Sequence, residues 1–223
     1  MLAVIGGGHF GTYHARQLLK AVRSEELAGE RIVVVDRDPG CRAARELAAA
    51  PEVELVTADW LGFLRAWLPS AAASDQLVPA PFAPHLLWEW LAEQLGASPL
   101  EPPRDWPLPY EVEVNQVLYL SAAAWTCPAT CVEPAHCPVL HGPRDWDLAE
   151  HIEAEAIRRG YEPAVFRCVQ LARGIAAIRA GEIQEARERL GRLPQARVLV
   201  GTSSRCHAAV AAIQSCSLFA CEP

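Results

Sequence analysis

Lysine is almost missing from this chain of 223 residues: Lys20 stands alone against 19 arginines. Lys20 falls in the first expected helix, so a lysine nucleophile or base is excluded everywhere else. Excess positive charge is missing too. The formal net charge is −7 and the pI about 5.5, which argues against a general nucleic-acid surface. Apolar residues make up 51% of the chain, yet no uninterrupted apolar stretch reaches the length of a membrane span. No basic leader or cleavable apolar segment precedes the first strand, so a cytoplasmic location is expected. Cysteine, by contrast, is plentiful at eight residues. Because the cytoplasm keeps thiols reduced, clustered cysteines point first to metal ligation or thiol chemistry rather than to disulfides. The scattered ones (Cys41, Cys168, Cys216, Cys221) read as small buried hydrophobes or surface thiols.

The most informative stretch is residues 2–11. A short apolar run, Leu2 to Ile5, leads directly into Gly6-x-Gly8-x-x-Gly11. A helical pattern follows, and then a second apolar run, Ile32 to Val35, that ends on Asp36. Strand, tight turn, helix, strand and acid together form a dinucleotide-binding fingerprint. Gly6 serves the turn, Gly8 the approach of a pyrophosphate, and Gly11 close packing of helix on strand. The free N–H groups and the positive dipole end of the helix receive phosphate charge. Asp36, 25 positions after Gly11, suits the hydroxyls of an adenosine ribose. Gly6, Gly8, His9, Phe10, Gly11 and Asp36 are the candidate cofactor-binding residues, with His9 placed to donate to a phosphate.

Strand and helix alternate regularly through the first hundred residues. Strands are expected at 2–5, 31–35, 53–56 and 75–78, with helices near 10–22, 40–50, 60–68 and 84–95. In the first helix Phe10, Leu18, Leu19 and Val22 are the candidate core. This alternation calls for a parallel sheet covered by helices on both faces. The five prolines of 98–109 mark a connector, and 110–120 alternates as a strand. Helical patterns cover 148–159 and 163–190. Ala196 to Val200 then forms a strand, with a helix expected over 205–215. The expectation is a single α/β domain over 1–223 with a Rossmann-like, doubly wound parallel sheet. Within it, 1–97 is the dinucleotide-binding core, and 98–195 holds the connector, a Cys/Pro-rich loop and a helical insertion. A final βα unit at 196–216 returns to the first sheet.

The second informative segment spaces Cys127, Cys131, Cys137 and His141 as Cys-x3-Cys-x5-Cys-x3-His, with His136 beside Cys137. Such a set of three cysteines and one histidine suits tetrahedral zinc, and prolines at 128, 134 and 138 stiffen the loop. An iron–sulfur cluster is the competing reading, because Cys-Pro occurs twice, as it does after a ligand in bacterial ferredoxin runs. That reading needs a distant fourth ligand, and Cys206 leads, placed near the start of the last expected helix. Three thiols with no metal is the plain alternative. A zinc deaminase is set aside: His151-Ile-Glu153 follows the cysteines instead of preceding them, and no Pro-Cys-x-x-Cys exists.

Other candidates carry weaker signals. The segment Thr202 to His207 is expected to open a helix, where the dipole would lower the pKa of Cys206 and where Ser203 or Ser204 would cap. His14 is expected to pack within the fold. His85 is a helix-start histidine and a candidate acid. Asp59 either faces the cofactor edge or caps the helix after it.

The segment Ile5-Gly-Gly-Gly-His-Phe-Gly-Thr-Tyr-His-Ala-Arg resembles the first turn and helix of the glucose–fructose oxidoreductase and inositol dehydrogenase family. Val35-Asp36-Arg37-Asp38-Pro39 looks like the end of that family's second strand. The likeness covers roughly residues 1–60. It implies NAD or NADP bound through Gly6, Gly8, Gly11 and Asp36, with Arg37 against adenine or a 2′-phosphate. The family's Glu-Lys-Pro strand end has no counterpart, since the region reads Val78-Pro79-Ala80-Pro81, and its large second domain does not fit the remaining length. The early units are also similar to the nucleotide-sensing domains that regulate potassium transporters. The resulting expectation is an NAD(P)-dependent oxidoreductase with a Cys-ligated zinc or iron–sulfur site. It would act on an unidentified small molecule or electron-transfer partner, without nucleic acid, and a homodimer stays open. The alternative is a non-catalytic nucleotide sensor whose cysteines form a structural or redox-sensitive clip.

Overall fold

The computed structural model describes residues 1–27, 29–79, 86–123, 127 and 131–216. In chain order the elements begin with β1 (Leu2–Ile5), α1 (His9–Arg23), β2 (Ile32–Asp36), α2 (Arg42–Leu47), β3 (Val53–Thr57), α3 (Trp60–Trp67) and β4 (Gln76–Val78). Next come α4 (Leu86–Gln94), β5 (Ser98–Leu100), β6 (Tyr110–Val114), β7 (Val117–Ser121), β8 (His136–Cys137), β9 (Gly142–Pro143) and α5 (Leu148–Arg158). The last elements are β10 (Glu162–Arg167), β11 (Val169–Ala172), β12 (Ile175–Arg179), α6 (Ala180–Gly191), β13 (Arg197–Ser203) and β14 (His207–Gln214). This is a mixed α/β protein with parallel strands. It divides into two compact units. Among the described residues no helix is long and apolar enough to cross a membrane.

The first unit comprises Met1–Ala83 and Val169–Gln184. Its sheet runs β11-β12-β4-β1-β2-β3. The four strands β4, β1, β2 and β3 are mutually parallel, while β12 lies antiparallel to β4 and β11 antiparallel to β12. Every residue of β1 is buried, as is β2 up to Val35, which is why both read as unbroken apolar runs. Helix α1 buries Ala15, Leu18 and Leu19 at helical spacing against Leu2, Val4, Ile32 and Val34. Of its expected core positions, Phe10 and Val22 stay half-buried.

The helix expected over 163–190 is a correction. Strands β10, β11 and β12 occupy 162–179, and only α6 is helical. Phe166 and the β-branched Val165, Val169 and Ile175 favour strands, and Arg173 and Gly174, at φ 49° and 76°, supply the tight turn between β11 and β12.

The second unit comprises Pro84–Cys168 and Glu185–Pro223. Its sheet runs β10-β13-β14-β7-β6, with β5 also paired to β14. Only the β10–β13 pair is parallel. Helix α5 starts on Asp147, whose side chain accepts from the Ala149 N–H at 3.1 Å, and buries Leu148, Ile152 and Ala156 against Leu118, Leu199 and Val210. The strand expected over 110–120 is a hairpin. Asn115 and Gln116 both adopt left-handed φ (52° and 64°), the geometry of a two-residue type I′ turn.

The final βα unit is the larger correction. Residues 205–215 form no helix, and the segment 196–216 does not return to the first sheet. Strand β14 pairs antiparallel with β13 on one edge and with β7 and β5 on the other. The run Ala208 to Ile213 is buried throughout. Its alanines suit a helix by propensity, but the small side chains fit a strand flanked on both edges, and tertiary packing overrides propensity.

Candidate functional site

The glycine turn occupies the C-terminal end of β1. Gly6 has φ +87° and donates its N–H to the Val35 carbonyl at 2.8 Å. A Cβ on Gly11 would lie 1.6 Å from the Gly6 carbonyl oxygen, so only glycine fits there. Gly7 is also crowded, because a Cβ would lie 2.4 Å from Cys41 Sγ and 3.3 Å from Asp36 Cβ, although these are side-chain atoms and not backbone. The motif treats position 7 as variable, and only its place in a run of three glycines hints at this role. Gly8, by contrast, is exposed with nothing within 4 Å of its missing side chain. It is the N-cap of α1, no side chain caps the helix, and its first turn contains no acid.

Asp36 closes the turn. Its Oδ2 accepts from the Gly7 N–H at 2.6 Å and its Oδ1 from the Asp38 N–H at 2.9 Å. Thr12 Oγ1 donates to the Gly7 carbonyl at 3.0 Å, and the Ala43 N–H donates to the same oxygen at 2.9 Å. His9 is exposed, and Arg42 Nη1 lies 2.9 Å from its Nδ1, so a cation flanks the mouth of the turn. The motif does not contain Arg42. Phe10 packs edge-on to the His9 ring. Arg37 pairs with Asp59 at 2.8 Å and lies over the Trp60 ring at 5.9 Å. Asp59 caps α3 by accepting from the Gly62 N–H at 3.0 Å, and that bond, helped by Arg37, lowers its pKa. Trp60 sits 3.4 Å from where a Gly6 Cβ would stand, and its buried Nε1 has no acceptor. His14 is buried, and burial lowers its pKa.

The second unit brings the loop cysteines to Cys206. The hairpin turn between β13 and β14 anchors the loop at several points. The Ala122 N–H donates to the Cys206 carbonyl at 2.9 Å, and the Cys127 N–H to His207 Nε2 at 3.4 Å. The Arg205 N–H donates to Glu133 Oε1 at 2.9 Å. Burial, and then the thiols of Cys131, Cys137 and Cys206, push Cys127 above the usual thiol range. Cys137 moves the other way. The Leu140 N–H, 3.5 Å from its Sγ, and the Arg144 guanidinium hold it below the usual range. Cys131 Sγ likewise accepts from the Glu133 N–H at 3.4 Å.

Arg144 and Trp146, which the spacing does not reveal, complete this cluster. Arg144 is only 7% exposed, and its Nε and Nη1 have no hydrogen-bond partner. Its burial is outweighed by contact with Cys137, the charge of Cys206 and contact with Cys131, and its pKa is raised. The buried Nε1 of Trp146 also has no partner, yet the indole faces Cys206 and opposes the upward push of burial there. Among the described residues no three His, Cys, Asp or Glu side chains converge as the shell of a single metal ion.

Other expected site residues fall as follows. His141 is exposed in the turn between β8 and β9 at φ 53°, and His136 is exposed in β8. Cys206 lies at no helix start, so no dipole acts on it, and burial raises its pKa. Ser204 Oγ accepts from the N–H groups of Cys206 (3.3 Å) and His207 (3.1 Å) as part of the hairpin turn, not as a helix cap. His85 and Cys221 lie outside the described residues.

No curated protein and no solved structure matches the chain. Residues 83–216, more than half of the sequence, match a family model described as "Uncharacterized protein, C-terminal domain". The chain therefore belongs to that family, AF_1314_C.

Proposed function

We propose that this chain is an NAD(P)-binding oxidoreductase whose first unit holds the dinucleotide across the 6–11 turn. The observation that carries the reading is the uncapped, exposed start of α1 at Gly8, beside Arg42 and at the end of β1. An uncapped helix N-terminus next to a cation suits a pyrophosphate. Sheet order adds support. The parallel strands run β3-β2-β1-β4, so the chain leaves β1 for one side and later returns to its other side. That reversal is the switch point at which doubly wound α/β sheets bind ligands, at the carboxyl ends of the strands. Asp36 has lone pairs left for ribose hydroxyls, and Arg37 stands next to it, within reach of adenine or a 2′-phosphate. The thiol cluster of the second unit supplies the redox-capable group.

Titration of the full chain with NADH and NADPH, followed by nicotinamide fluorescence, tests the reading. Saturable micromolar binding of either nucleotide is expected, with turnover once an electron acceptor is supplied. Absence of binding to all four oxidised and reduced forms overturns it. Tight binding without oxidation by any of a broad acceptor panel favours the second reading, a nucleotide sensor. That reading draws on the same turn and on the lack of any lysine other than Lys20.

A further inference from the structure

We infer that Cys127, Cys131, Cys137 and Cys206 ligate an iron–sulfur cluster in the second unit, with Arg144 and Trp146 donating to its sulfurs. The inference is independent of dinucleotide binding in the first unit. Three of the ligands come from one loop. The fourth comes from the β13–β14 turn, to which the loop is tied through Ala122, Cys127 and Glu133. Three cysteines on one loop and a fourth on the turn that holds it supply the four-cysteine ligand set of such clusters.

The feature that points to a cluster is a set of unused donors. A buried guanidinium with two unpartnered nitrogens and a buried, unpartnered indole N–H are costly in an apolar interior. Arg144 lies against the sulfurs of Cys137 and Cys131. A cluster with four thiolates carries net negative charge and bridging sulfides, which offers both donors acceptors and gives the cation a counter-charge. Backbone N–H groups of Glu133 and Leu140 already point at Cys131 and Cys137 Sγ, as hydrogen bonds to ligand sulfurs do. Donors of this kind raise the reduction potential of a cluster, so Arg144 is a positioning and tuning residue rather than a ligand.

The test uses the full chain, purified without oxygen and reconstituted with ferrous iron and sulfide. Iron and acid-labile sulfide are counted, and visible absorption and the electron paramagnetic resonance of the dithionite-reduced protein are recorded. Iron and sulfide in equal amounts with a visible charge-transfer band are expected. Cys206→Ser and Cys131→Ser should each lose most of the iron, while Cys41→Ser and Cys168→Ser keep it. Circular dichroism of each variant separates cluster loss from unfolding. Arg144→Met should keep the iron and shift the potential downward, with Arg144→Lys shifting it less. Colourless protein after reconstitution, stoichiometric zinc that iron and sulfide do not displace, or full iron retention in a folded Cys206→Ser protein overturns the cluster. An unchanged potential in Arg144→Met overturns the role of Arg144.

Discussion

The Gly7 N–H donates to Asp36 Oδ2 at 2.6 Å, so the acid at the end of β2 and the turn at the end of β1 form one unit. Asp36 therefore shapes the turn, and under the proposed function it also receives a ribose. Asp36→Ala removes acceptors for the N–H groups of Gly7 and Asp38, each such charged bond being worth about 2 kcal/mol. Dinucleotide affinity should fall at least tenfold, with a lower melting temperature. Asp36→Asn keeps one acceptor oxygen and should recover stability more than affinity. Calorimetric titration and thermal melting check the pair, and unchanged affinity in both variants refutes the ribose assignment.

Steric constraint separates the glycines of the turn. Gly11→Ala forces a Cβ onto the Gly6 carbonyl and should distort the turn, abolishing nucleotide binding and destabilising the first unit by about 3 kcal/mol or more. Gly8→Ala meets nothing in the protein. Its effect should appear only as weaker nucleotide binding, with the melting temperature preserved. Equal loss of stability in the two variants would contradict this geometry.

His14 gives the first unit a pH dependence. Burial lowers its pKa, so the folded protein binds this proton less readily than the unfolded chain. The associated stability is present above the ordinary histidine value of about 6.5 and is lost as pH falls towards the lower folded value. Melting temperature should drop between about pH 7 and pH 5, and His14→Leu should flatten that slope. Denaturation at a series of pH values reads this directly, and an identical slope in the variant removes His14 as the cause.

Glu155 anchors a longer chain of contacts in the second unit. Its carboxylate is bound by Arg158 and Arg159, which pull its pKa from 4.5 down to about 2. Arg159 in turn donates to the carbonyls of Arg104 and Asp105 and lies over the Trp106 ring. Because the folded pKa is depressed, the stabilisation is complete above about 4.5 and disappears as pH falls towards 2. Glu155→Gln should loosen the 98–109 connector, seen as faster amide exchange near Trp106 at neutral pH. Exchange no faster than in the parent chain would show that Arg159 holds the connector unaided.

The β6–β7 turn invites a stabilising change. Gln116 holds φ 64° without being glycine, a conformation that costs a side-chain-bearing residue about 1 kcal/mol. Gln116→Gly creates the Asn-Gly pair preferred for this turn and should raise the melting temperature of the second unit by a few degrees. A drop instead would mean that glycine's added freedom in the unfolded chain outweighs the relief of strain.

By itself, the sequence determined the first unit's βαβ start. Leu2–Ile5 and Ile32–Val35 are apolar throughout because their strands are covered on both faces; Gly6 is glycine because its φ is +87° and Gly11 because no Cβ fits. Local pattern and local sterics coincide there, so the strand, turn, helix and acid were legible. The loop cysteines stand out in the sequence by their spacing, but the expectation for Cys206 rested on a helix start where the structure has the β13–β14 turn. Only tertiary structure decided the rest. The alanine-rich run 208–213 is a strand because β13, β7 and β5 flank it, and no local propensity records those neighbours. The hairpin at 115–116 depends on backbone torsions that Asn and Gln do not announce. Arg144 and Trp146 were invisible for the same reason: a buried cation or indole becomes meaningful only once the sulfurs around it are known.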